Sequence, residues 1–340
     1  MKKVLLTGAS GYIGKHVALQ LLNDGYEVRA SVRSLKKADE VRNAVRPHLL
    51  GNKDLDSLLT FVELDLEKDA GWDDALQGIN VLMHTASPFP IASPKNEDEV
   101  IVPAVQGTLR ALKAAHKAGV NRVVLTSSVA AIYGTNLPAG KSAFDETIFS
   151  DVNHPVGRQT YTKSKTLAEA AAWDYIKSSA PEMVLTTINP VLVLGAPLDQ
   201  NFGSSVSIIE RILSGKDPML PNLSFSIVDV KDVAKMHVQA IDLKETFGER
   251  IIASAGMRSF VDIATFLKSR LSHLKIKTTQ APDFIIKFLA IFDADIKSVL
   301  PLLGDRTPVN SDKAKKILGI EFRSPEDSIL ETAEFLLKTK

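Results

Sequence analysis

Three glycines spaced two residues apart, Thr7-Gly8-Ala9-Ser10-Gly11-Tyr12-Ile13-Gly14, follow directly on the apolar run Val4-Leu5-Leu6 and lead into a helical pattern. Strand, glycine turn and helix in that order leave few folds open. Gly8 permits a tight turn, Gly11 lets backbone amides approach a pyrophosphate, and Gly14 lets the helix pack closely on the strand. The helix N-terminus then presents about half a positive charge to that phosphate. The motif predicts a dinucleotide held by the backbone of Gly8, Ser10, Gly11, Tyr12, Ile13 and Gly14.

The rest of the chain keeps the same rhythm. Short apolar runs at Val4–Thr7, Val28–Val32, Leu59–Glu63, Val81–Thr85 and Val123–Ser127 alternate with helical segments such as Lys15–Asn23 and Val100–Ala118. Val184–Ile188 and Arg250–Ala253 add two more, which predicts an α/β fold with a Rossmann-type doubly wound parallel sheet of about seven strands. Residues 1–190 are expected to form the dinucleotide-binding domain, with 225–255 returning to its sheet. Residues 191–340 are expected to form mainly a smaller C-terminal substrate-binding lobe, with helices at Ser207–Leu213, Ser259–Leu271 and Ser324–Leu337. Phe284–Phe292, which contains Lys287, reads as an amphipathic helix. Gly134–Gln159 carries Pro138, Gly140, Pro155 and Gly157 without a period and reads as a long loop over the sheet's C-terminal edge.

Composition narrows the function. With 41 basic and 40 acidic side chains in 340 residues the net charge is +1, so neither nucleic acid nor anionic lipid is an expected partner. No cysteine is present, which removes disulfides and thiolate chemistry and fits a reducing, cytoplasmic setting. The N-terminal apolar run stops at Thr7-Gly8 without a signal-peptide core, and no stretch is long enough to span a bilayer. The seven histidines lack metal-ligand spacing, so no metal is expected; His84 reads as a packed residue. The G-x-S-x-G elbow of many hydrolases is absent.

Cofactor choice rests on the end of the second predicted strand, Ser31-Val32-Arg33-Ser34, where NAD-selective folds carry an acidic residue for the ribose hydroxyls. Arg33, with Lys37 one turn on, suits a 2′-phosphate instead, so NADPH/NADP+ is the expected cofactor. Asp65-Leu66 stands where an adenine ring would lie, and Asp65 serves equally well as a cap. Tyr161 and Lys165, four residues apart, share a helix face, and a nearby ammonium is expected to lower a phenol's pKa from about 10. A hydroxyl at the end of the fifth strand, Ser127 or Ser128, would hydrogen-bond a substrate oxygen.

Together these residues resemble the extended short-chain dehydrogenase/reductase family, in its branch of dihydroflavonol reductases, cinnamoyl-CoA reductases and yeast-type methylglyoxal or aldehyde reductases. The likeness covers nearly the whole chain. It is carried by Thr7–Gly14, Arg33 with Lys37, His84-Thr85-Ala86-Ser87-Pro88-Phe89, Val123–Ser128, Tyr161–Lys165, Asn189-Pro190-Val191 with Gly195, Asp229–Ala234, Lys313-Ala314 and Leu318-Gly319. The resemblance implies a catalytic triad of Ser128, Tyr161 and Lys165, which puts Ser128 ahead of Ser127. It implies cofactor contacts from Thr85, Ala86, Ser87 and Thr126, with Pro190, Val191 and Val193 toward the carboxamide. Phe89, Val129 and Tyr133 would wall the substrate, although core packing is the other reading of Phe89 and Tyr133. Dihydroflavonol reductases tend to carry a polar residue where Tyr133 stands, so a smaller or less hydroxylated aldehyde or ketone is expected. The implied activity is NADPH-dependent carbonyl reduction by a monomer or homodimer. The competing readings are an NAD-dependent nucleotide-sugar epimerase or dehydratase and a non-catalytic NADP-binding regulator.

Overall fold

The computed structural model describes residues 1–87, 96–291, 300–304 and 306–339; Phe89 and Phe292 lie outside the described residues. The described residues form ten strands: β1 (Lys3–Thr7), β2 (Glu27–Val32), β3 (Leu59–Glu63), β4 (Val81–His84), β5 (Arg122–Thr126), β6 (Val184–Pro190), β7 (Leu192–Leu194), β8 (Ser224–Asp229), β9 (Arg250–Ala253) and β10 (Gly256–Ser259). Seven of them form one sheet in the order β3-β2-β1-β4-β5-β6-β9, every pair parallel. The chain direction of winding reverses between β1 and β4, the crevice where such sheets bind nucleotides.

The alternation of side chains along each strand explains why the runs are apolar throughout. Val4, Leu6, Val28, Ala30, Met83 and Val124 pack with Val17 and Leu21 of the first helix, Tyr12–Asn23. Leu5, Leu82, Val123, Leu125 and Leu185 face the other way, onto Leu112 of helix Asp98–Lys117 and Ala172 of helix Thr160–Ser179. Both faces are therefore covered, which a parallel sheet requires.

The other three strands form a separate sheet, β10-β8-β7, with β8 parallel to β7 and antiparallel to β10. Within 225–255, then, only β9 joins the large sheet; β8 pairs elsewhere and is followed by helix Val230–Gln239. Residues 134–159 contain neither helix nor strand, yet they are held firmly. The Gly134 amide donates to Ser150 Oγ at 2.8 Å, that hydroxyl donates to the Ala130 carbonyl at 2.6 Å, and the Asp151 amide donates to the Gly134 carbonyl at 3.1 Å. No described helix is long and apolar enough to cross a membrane.

Candidate active site

The glycine loop is built on contacts that a side chain would destroy. Gly8 has φ +71°, and a Cβ there would stand 2.7 Å from the Ala86 backbone. A Cβ on Gly14 would lie 2.1 Å from the Gly8 carbonyl oxygen, so the helix could not approach the turn. Gly11 caps the first helix without a side-chain bond, leaving the leading amides of Tyr12, Ile13 and Gly14 without a side-chain cap, next to half-buried Ser10. This cradle fits a pyrophosphate. The Tyr12 side chain is turned away from it, and its hydroxyl donates to the Gly195 carbonyl at 2.8 Å. Gly195 is held on its other side as well, its amide donating to Thr332 Oγ1 at 2.8 Å.

At the end of β2, Arg33 is exposed, whereas Lys37 is paired with Glu40 at 2.6 Å. Glu40 also accepts from buried Lys15 and from Asn201, each at 2.8 Å. Partial burial pushes the Glu40 carboxyl up, but the bonds from Asn201, Lys15 and Lys37 outweigh it and hold its pKa at about 2. Lys37 is thus tied to an anion rather than presented to a phosphate, which leaves Arg33 as the better placed of the two. Asp65 accepts the Glu67 amide at 3.0 Å and pairs with Lys68 at 3.3 Å, so its carboxylate serves as a turn cap. Leu66 packs against helix Asp98–Lys117 at Gly107, where a Cβ would lie 3.1 Å from the leucine Cβ.

Residues after β4 sit beside the glycine loop. Thr85 Oγ1 donates to the Thr7 carbonyl at 2.6 Å, and the Ala86 amide donates to Thr7 Oγ1 at 3.3 Å. His84 is buried with Nδ1 2.8 Å from that same hydroxyl, and burial, helped by the Lys165 charge, lowers its pKa to about 4. It is a neutral packed residue at physiological pH.

Helix Thr160–Ser179 carries Tyr161 and Lys165 to the ends of β4 and β5. The Tyr161 hydroxyl donates to Ser128 Oγ at 3.5 Å, and Lys165 Nζ lies 5.9 Å from the phenol ring centre. Tyr161 is 42% exposed and opens outward, whereas Ser128 is buried. Lys165 donates to Ser87 Oγ at 2.8 Å rather than to the phenol. This corrects the expectation that the ammonium lowers the phenol's pKa. Desolvation raises Tyr161, with the Ser128 bond opposing it only in part. The phenol is therefore kept protonated, the form a proton donor needs. Burial pushes Lys165 down to about 8. Turnover that depends on its ammonium is expected to hold below about pH 8 and to fall as pH rises through that value, a profile readable from initial rates between pH 6 and 10.

Ser127 is distinguished from Ser128 by direction: its hydroxyl donates to the buried carboxylate of Glu169 on the opposite side of the strand. Thr126 Oγ1 lies 2.6 Å from His237 Nε2. His237 Nδ1 lies 2.7 Å from the Val233 carbonyl, which can only accept, so Nδ1 carries the proton and Nε2 accepts the hydrogen bond from the Thr126 hydroxyl. His237 went unnoticed in the sequence, although it stands three residues beyond the Asp229–Ala234 segment. Pro190 accepts the Val129 amide at 3.0 Å, and Val191 and Val193 are buried alongside. Tyr133 is half-buried near Tyr161, its pKa raised to about 12 by burial and by that neighbouring phenol. Val129 is buried at the same strand end.

The sequence model of the NAD dependent epimerase/dehydratase family matches residues 4–253. The chain belongs to that family. Within it, the protein is 33% identical to cinnamoyl-CoA reductase CAD2 of Medicago truncatula, over 99% of this chain and 96% of that one. It is 29% identical to the NADPH-dependent methylglyoxal reductase GRE2 of Saccharomyces cerevisiae, over 98% of both. The solved structure of yeast methylglyoxal/isovaleraldehyde reductase Gre2 complexed with NADPH superposes with a TM-score of 0.81 at 28% identity, covering 99% of this chain and 98% of that one. These relatives fall in the branch of the family that the sequence motifs resemble.

Proposed function

We propose that this protein is an NADPH-dependent reductase of small aldehydes or ketones, with Tyr161 as the proton donor. The observation that carries the reading is a phenol hydroxyl 3.5 Å from a serine hydroxyl, set beside an uncapped glycine-loop helix at the sheet's edge. NADPH, when bound, supplies the hydride. The amides after Gly11 would hold its pyrophosphate, Arg33 its 2′-phosphate, and Thr85, Ser87 and Lys165 the ribose nearer the reacting carbon. Ser128 Oγ hydrogen-bonds the substrate carbonyl and steadies the charge that develops there. Tyr161 then gives its proton to that oxygen.

Val129 and Tyr133 offer an apolar wall suited to an acceptor with few hydroxyls. The relatives' activities support the same class, and the cysteine-free composition supports a cytoplasmic location. A panel of methylglyoxal, isovaleraldehyde and an aromatic aldehyde, followed by NADPH absorbance, tests the reading; sustained oxidation supports it and silence across the panel counts against it.

Arg33 also argues against a permanently bound NAD of the epimerase kind. Arg33→Glu is expected to weaken NADPH by about 100-fold, from the lost charge-assisted bonds and the new repulsion, while NADH affinity stays within about threefold. Paired fluorescence titrations measure both; equal losses for the two nucleotides would remove Arg33 from the role.

A further inference from the structure

Glu169 lies one helical turn beyond Lys165 and two beyond Tyr161, on the same face of their helix, and its side chain is wholly buried. Arg250 of β9, also buried, donates to its Oε1 at 2.5 Å. The carboxylate takes three further bonds. Ser127 Oγ and Asn189 Nδ2 (2.7 Å) donate to Oε2, and Trp173 Nε1 (3.2 Å) to Oε1, while the Thr187 hydroxyl donates to Asn189 Oδ1 at 3.0 Å. Asn189 in turn donates to the Ser128 carbonyl at 3.1 Å. On the other side, Arg250 donates to the carbonyls of Glu146 (2.8 Å), Ile148 (2.6 Å) and Ala131 (3.2 Å), and its guanidinium stacks 3.7 Å over the Phe149 ring.

A buried ion pair gives little net stability over a well-packed apolar pair, so charge balance alone does not explain so many directed bonds. Together the bonds instead reach β6, β9, the residues after β5 and the loop at 146–148. They tie the helix bearing Tyr161 and Lys165 to the strand end bearing Ser128, and both to the loop at 146–149. We propose that Glu169 and Arg250 are positioning residues that set the spacing between Tyr161 and Ser128 and fix the adjoining loop. The proposal rests on the reductase reading above.

The experiment compares Ser127→Ala, Glu169→Gln and the uncharged double variant Glu169→Gln/Arg250→Met with the parent protein. It measures melting temperature, NADPH affinity, and kcat and KM with the best acceptor of the panel. Glu169→Gln is expected to lose both melting temperature and kcat, because Arg250 is left unbalanced. The double variant is expected to regain most of the melting temperature and to bind NADPH within about twofold, yet to keep kcat at least about tenfold low, as misplacement of reacting groups by a fraction of an ångström does. Ser127→Ala, which removes one small hydroxyl, is expected to lower kcat by about three- to tenfold with KM for NADPH unchanged. A kcat that recovers together with melting temperature in the double variant overturns the proposal. If that variant does not fold, Ser127→Ala decides, and parental kcat there overturns it. A loss in Ser127→Ala as deep as that in Tyr161→Phe also overturns it, since Ser127 would then take part in the chemistry itself. Full turnover by Tyr161→Phe is the separate result that removes the underlying reading.

Discussion

Tyr161→Phe is expected to lower kcat by about 10²–10⁴-fold while leaving NADPH affinity within about twofold. Only one oxygen is removed. The ring stays, so its contact with the Lys165 side chain and its packing at the helix start are retained. What disappears is the hydroxyl that donates to Ser128. Because that proton moves only as the carbonyl is reduced, its loss acts on the chemical step rather than on binding. Rapid-mixing or steady-state assays of NADPH oxidation, with a parallel binding titration, measure the two effects. A variant that turns over like the parent would leave a nucleotide-binding protein without this mechanism.

Gly157→Ala is expected to destabilise the protein by about 3 kcal/mol and to lower Tm by about 4 °C. The added methyl would stand 1.8 Å from the Asp151 carbonyl oxygen and 2.5 Å from that of Gly134. Both obstacles are backbone, so no side-chain rotation relieves the contact; the loop has to move. That loop joins the end of β5 to the catalytic helix, and Gly134 is itself pressed against Thr162 in the helix's first turn, where a Cβ would lie 2.9 Å from the threonine methyl. Turnover is expected to fall with stability, and thermal unfolding followed by fluorescence checks the first effect. An unchanged Tm would mean that this crossing of chains is looser than the contacts indicate.

The large sheet was legible because strands buried on both faces must be apolar at every position, and Val4–Leu6, Val81–Met83 and Val123–Leu125 are. The small sheet was not. β7 has three residues, the alternation Ser-Phe-Ser-Ile in β8 lasts only four, and Gly-Met-Arg-Ser in β10 shows neither a continuous apolar run nor a clear alternation. At the site, local spacing carried the glycine loop and the Tyr161–Lys165 pair. Glu169 and Arg250 are 81 residues apart and meet only because β9 is placed next to β6, which no periodicity announces. Lys37 pairs with Glu40, three residues on, a competing partner that was visible in the sequence. The direction of the phenol's pKa shift depended on where the Lys165 ammonium points, and Ser87 takes it.

Gly195 joins the two extremes of the polypeptide, its carbonyl taken by the first helix through Tyr12 and its amide by the last helix through Thr332. A protein shortened by its final helix would therefore lose a restraint that reaches the nucleotide loop in two steps. Grafting the glycine-loop half onto another scaffold, or expressing it alone, would carry the sequence motif without the brace that holds its opening turn.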